Sequence, residues 1–130
     1  MLATLNDLLV PMVAATPSSG EIFASEFFGT AILLMFGVGT CCTNNLLKSK
    51  GKGGGWLMIN FGWGLAVYMG VYAAYKTGGH LNPAVTIGLL TQSLGTDGVT
   101  YAKGVEITAG STLTYLSAEL IGAFLGAVLC

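Results

Sequence analysis

The stretch His80-Leu81-Asn82-Pro83-Ala84-Val85-Thr86 places a helix start where the surrounding sequence reads as membrane. Asn82 is an N-cap residue type, and Pro83 fits the first helical position, where its missing N–H would have no partner anyway. Val85, Ile87, Leu89 and Leu90 continue apolar before Thr91, Gln92 and Ser93 end the run. That gives a helix of about ten residues, half of what crossing a bilayer needs at ~1.5 Å per residue. The expectation is a half-helix that dips into the bilayer and does not cross. On its own, Asn-Pro starts helices in loops and soluble proteins alike, so the rest of the chain has to decide.

Non-helical backbone at membrane depth is tolerated only where it is buried in protein or lines a wet cavity. Thr77, Gly78, Gly79 and His80 form such an approach, the two glycines permitting positive φ and carbonyl oxygens turned to a lumen. The half-helix would then aim its positive end at the bilayer centre, where cations are repelled. Asn82 would spend its side-chain oxygen on the helix's own N–H groups, leaving its amide NH2 free to donate to a passing hydroxyl or water.

Composition supplies the context. The 130-residue chain is 53% apolar and only 8% charged, against roughly 25% charged in soluble domains. All five positive side chains are lysines, and with no arginine and no basic patch a nucleic-acid partner is not expected. Cys41, Cys42 and Cys130 lie in or beside apolar runs without metal-ligand spacing, so they read as packing residues and neither metal nor cofactor is expected. One histidine and no nucleophile beside a base give no enzyme constellation.

Three apolar segments, about 22–47, 56–75 and 113–130, are long enough to span, with the re-entrant loop and half-helix at about 77–94. Residues 1–20 lack the charged start of a signal peptide and carry Pro11, Pro17 and Ser18-Ser19-Gly20, which suggests a short N-terminal arm. The lysine-rich, glycine-rich connection at 44–55 and the Gly/Thr/Ser-rich stretch at 91–112 read as aqueous loops. Gly29, Gly37 and Gly39, then Gly62, Gly64 and Gly70, then Gly122, Ala123, Gly126 and Ala127 offer the small surfaces that membrane helices use to pack. Glu26 and Glu119 are intramembrane carboxyl candidates; Glu26 either sits at the interface or is buried with hydrogen-bond partners. Trp56 fits an interfacial anchor, while Trp63 lies well inside its span, where its indole N–H wants a partner and core packing alone could hold it. The last apolar run stops at its lower limit for a crossing, so the chain looks truncated. Lysine counts alone would put the first loop in the cytoplasm, by a margin of one.

TGGHLNPAVT at 77–86 resembles the first Asn-Pro-Ala loop of the major intrinsic proteins, the aquaporins and glycerol facilitators, and Glu26-Phe27-Phe28-Gly29-Thr30 resembles their first-helix signature. The resemblance implies an all-α membrane fold, the N-terminal inverted-repeat half of an aquaporin-like bundle, with three spans and one re-entrant half-helix over residues 21–130. It also implies an outside first loop, against the lysine count. Gly78, Gly79, His80 and Leu81 would offer pore-lining carbonyls, and Asn82, Pro83 and Ala84 would form the constriction motif. Glu26 would brace the loop, and Trp63 would be the greasy wall of a glycerol-type filter. The function so implied is a passive channel for glycerol and similar small neutral solutes, with water as a further candidate. The alternatives are a water-selective or other small-solute channel, or a non-conducting half-channel scaffold. A multi-pass location in the plasma or inner membrane, contact with the lipid bilayer and a homotetramer at full length follow from the same resemblance. A second Asn-Pro-Ala and a filter arginine are not in these 130 residues.

Overall fold

The computed structural model describes residues 16–130; most of the expected N-terminal arm lies outside the described residues. Four helices account for most of the rest: α1, Ser19–Asn45; α2, Gly55–Ala73; α3, Pro83–Ser93; and α4, Ala109–Val128. At ~1.5 Å per residue α1, α2 and α4 run about 40, 28 and 30 Å, long enough to cross, whereas α3 runs only about 16 Å. The architecture is therefore all-α, with three membrane-length apolar helices and one half-length helix.

The helix ends differ from the sequence reading for local reasons. Ser18, expected to lie in the arm, is instead the N-cap of α1. Its hydroxyl accepts from the Glu21 N–H at 3.3 Å, and the Glu21 carboxylate takes the Ser18 N–H at 2.8 Å. This reciprocal capping box draws Ser19 and Gly20 into the helix. Helix α4 likewise starts at Ala109, four residues before the expected Leu113, because Thr108 and Ser111 cap each other reciprocally. Helix α2 stops at Ala73, two residues early, and a single 3-10 turn, Tyr75–Thr77, carries the chain into the loop.

Helix α1 is the central element, packed along α2 on one side and α4 on the other, with α3 resting on α4. Its buried positions, Ile22, Glu26, Gly29, Thr30 and Gly37, recur at helical spacing as one narrow stripe of mostly small or polar residues. Bulky side chains point outward: Phe28, Phe61, Leu120 and Phe124 are all well over half exposed. An apolar exterior over a small and polar interior is the arrangement of a helix bundle in lipid, where close approach and hydrogen bonding replace hydrophobic collapse. Gly122 and Gly126 make the α1/α4 crossing possible. A Cβ on either would run into the backbone carbonyl of Phe27 or Ala31.

The stretch at 91–112 is not simply an aqueous loop. It contains a small antiparallel hairpin, β1 at Thr100–Ala102 and β2 at Val105–Glu106. Tyr101 and Val105 turn inward from it and are buried with Ile22 and Tyr115. The Tyr101 hydroxyl lies 2.7 Å from the Thr112 hydroxyl, tying the hairpin to α4.

Candidate functional site

The loop between α2 and α3 begins after the 3-10 turn and is built on unusual backbone. Gly78, Gly79 and Leu81 have φ of 95°, 59° and 55°. The glycines take this conformation freely, whereas Leu81 pays roughly 1–3 kcal/mol for it and has to be held there by its surroundings. Two things hold it. Its side chain, 5% exposed, sits at the α1/α2 crossing where Gly29 and Gly70 leave room: a Cβ on Gly29 would be 2.5 Å from Leu81 Cδ2, and one on Gly70 2.9 Å from Cδ1. Its N–H donates to Glu26 Oε2 at 2.9 Å.

Glu26 is fully buried and serves the whole loop. Oε1 accepts from the Thr77 hydroxyl at 2.8 Å and the His80 N–H at 3.3 Å, while Oε2 takes Leu81. Of the two readings open at Glu26, interfacial or buried with partners, the buried one describes its contacts. The Thr77 carbonyl accepts from the Tyr115 hydroxyl at 2.6 Å, so α4 holds the start of the loop as α1 holds its middle.

Glu26 takes up the His80 and Leu81 N–H groups but none of the carbonyls. Among the described residues no donor reaches the carbonyl oxygens of Gly78, Gly79, His80 or Leu81. Asn82 then turns the chain into α3 from extended backbone (φ −158°, ψ 120°). Its Oδ1 accepts from the Ala84 N–H at 3.0 Å, and its amide nitrogen has no partner among the described residues. Asn82 and Ala84 are exposed and Pro83 is half-buried. No acidic residue lies in the first turn of α3 to neutralise its positive end.

His80 is buried between aromatic rings. It stacks on Tyr115 at 4.5 Å between centroids and meets Tyr101 edge-on at 5.4 Å. Its Nε2 lies 3.0 Å from the Tyr101 carbonyl and its Nδ1 2.8 Å from the Thr86 hydroxyl, which is in turn 2.7 Å from Glu119 Oε1. Gly78 leaves space for this: a Cβ there would be 2.7 Å from the same Tyr101 carbonyl.

Trp63 stands apart from this cluster. It lies half-buried on α2, about 15 Å along the helix from the loop at ~1.5 Å per residue. Its ring covers Gly37, where a Cβ would be 2.5 Å from the indole, and its Nε1–H donates to Cys41 Sγ at 3.3 Å. With Trp56, Asn44 and Asn60 it lines an open cleft of about 640 Å³ at that end of α1 and α2. Thr86, Tyr101, Tyr115 and the link from Glu119 to His80 were not singled out from the sequence. For Tyr115 and Glu119 the signal was the shared inward face with Ala118 and Gly122. Tyr101 sits in a polar loop and gave none.

The family model described as Major intrinsic protein matches residues 13–130. This chain belongs to the major intrinsic protein family. Among individual relatives of this major intrinsic protein, the probable glycerol uptake facilitator protein of Thermotoga maritima is 39% identical over 110 residues, covering 84% of the chain and 42% of the relative. The glycerol uptake facilitator protein of Bacillus subtilis is 41% identical over 108 residues, covering 82% and 35%. A probable aquaglyceroporin-2 of Gibberella zeae is 52% identical over 63 residues, covering 48% and 18%. The chain thus spans about two fifths of the length of the bacterial relatives it matches. No solved structure gives a significant match.

Proposed function

We propose that these residues form one wall of a passive channel for glycerol and similar small neutral solutes in the cell membrane, with water as a further permeant. Members of the family are channels and not enzymes, and two of the relatives named above are glycerol uptake facilitators. The observation that carries the reading is the loop itself. Four successive carbonyls without internal partners lead to the exposed Asn82 amide at the positive end of a half-length helix. A hydroxylated solute moving along such a stripe exchanges water's hydrogen bonds for carbonyl acceptors and then for an amide donor, without ever being bound strongly. A cation meets the helix end and is repelled. Glu26 braces the loop from behind, and Trp63 lines the approach from the Asn44–Asn60 cleft, giving a polyol's carbon side an apolar face. In this reading the full-length channel assembles as a homotetramer.

The test is light-scattering flux through proteoliposomes holding a channel of the relatives' length that carries these 130 residues. Swelling in iso-osmotic glycerol, well above that of empty vesicles, is the expected outcome. Shrinkage in hyperosmotic sorbitol without glycerol-driven swelling would replace the glycerol reading by a water channel. Neither response would leave the non-conducting scaffold in its place.

A further inference from the structure

The contacts around His80 do not balance with ordinary proton counts. Three hydrogen bonds connect in series: the Tyr101 carbonyl to Nε2 at 3.0 Å, Nδ1 to Thr86 Oγ1 at 2.8 Å, and Thr86 Oγ1 to Glu119 Oε1 at 2.7 Å. Each needs one proton between its two heavy atoms. The Tyr101 carbonyl supplies none, a neutral imidazole supplies one and the Thr86 hydroxyl supplies one. The third has to come either from a second ring proton on His80 or from a protonated Glu119. Direct pairing does not resolve the matter, since Nδ1 and Oε1 are 3.9 Å apart, beyond hydrogen-bond distance, and both instead contact the Thr86 oxygen.

The other oxygen of Glu119 decides between the two. Oε2 is buried and has no partner in the described residues. An ionised carboxylate there would keep a charged oxygen bare inside a membrane protein while holding only one hydrogen bond, and an imidazolium would have to be buried beside it. A neutral acid leaves only a carbonyl-type oxygen bare, a much smaller cost.

We propose that Glu119 is a protonated, hydrogen-bond-donating positioning residue for the loop and half-helix. Its O–H donates to Thr86 Oγ1, the Thr86 O–H donates to His80 Nδ1, and His80 Nε2–H donates to the Tyr101 carbonyl. The chain of donors runs in one direction, from α4 through α3 and the loop to the hairpin. Thr86 lies one turn into α3, so this line sets the half-helix against α4 independently of the Glu26 brace. The titratable groups facing His80 are Glu26 through its N–H, Tyr115 and Tyr101 through their rings, and Glu119 through Thr86. Nothing in the inference depends on which solute passes.

Because the sequence holds a single histidine, the test is clean. The chain, labelled with 15N-histidine and reconstituted in lipid bilayers at neutral pH, is examined by solid-state NMR and infrared spectroscopy. One protonated ring nitrogen, Nε2, and one bare nitrogen, Nδ1, are expected, together with a carboxylic acid C=O band that Glu119→Gln removes. The same variant keeps the tautomer, because the Gln amide can donate to Thr86 as the acid did. Two protonated ring nitrogens, the Nδ1–H tautomer, a mixture of tautomers, or a Glu119→Gln variant with an unchanged acid band would overturn the proposal.

Discussion

Glu26 illustrates how much one side chain does when it has no water to fall back on. Its two oxygens satisfy one hydroxyl and two backbone N–H groups of a loop that has no secondary structure of its own. Glu26→Gln keeps the size but replaces one acceptor oxygen by a donor, so at least one buried N–H loses its partner. A loss of about 1–3 kcal/mol in stability is expected from that single group. Thermal unfolding in detergent and glycerol-to-water permeability ratios check this together. A lower midpoint with an unchanged ratio is expected; a normal midpoint with an altered solute preference would show that Glu26 acts on the solute and not on the loop. At this scale the sequence was partly legible. An acid inside an apolar run is costly enough to announce partners, and Asn-Pro announces its helix start. Neither signal says that Thr86 and Tyr101 complete the surroundings of His80, because the Tyr101 contact and the Thr86 link to Glu119 join residues 21 and 33 positions apart through the fold.

The elements were legible in kind and less so in extent. Length and composition identified three spans and a short helix between them. Side-chain caps at Ser18 and Thr108 then lengthened α1 and α4 towards their N-termini, a local effect that apolar counting does not register. The hairpin at 100–106 went unseen because its strands are three and two residues long, too short for an alternating pattern. Glycines that look alike in the sequence differ sharply in the fold. Gly122 faces the Phe27 carbonyl, whereas Gly64 has nothing within 4 Å of an added Cβ. Gly122→Ala is therefore expected to force α1 and α4 apart at a cost of about 1–3 kcal/mol. Gly64→Ala is expected to be neutral or to stabilise by up to about 1 kcal/mol, since Ala favours helix over Gly. Unfolding midpoints of the two variants under identical conditions make the comparison. Equal midpoints would contradict the packing described at the α1/α4 crossing.

At the scale of the whole molecule, a membrane-length helix with a polar stripe organises everything else. Helix α1 packs on both α2 and α4, and its stripe carries Glu26 to the loop. The bulky side chains lie on the exterior, and the carbonyls of residues 78–81 have no donor among the described residues. In the function proposed above, the start of α3, with those carbonyls, lines a conduit for solute. Cysteine accessibility at Ala84 tests it most directly, because Ala84 is exposed beside Asn82, and its replacement leaves the Asn82 cap intact. In a channel of the relatives' length with its other cysteines changed to serine, Ala84→Cys is expected to conduct glycerol and to react with a small water-soluble thiol reagent. Modification is then expected to bring flux down to the level of empty vesicles. Complete modification with glycerol flux unchanged would place the conduit elsewhere and contradict the account.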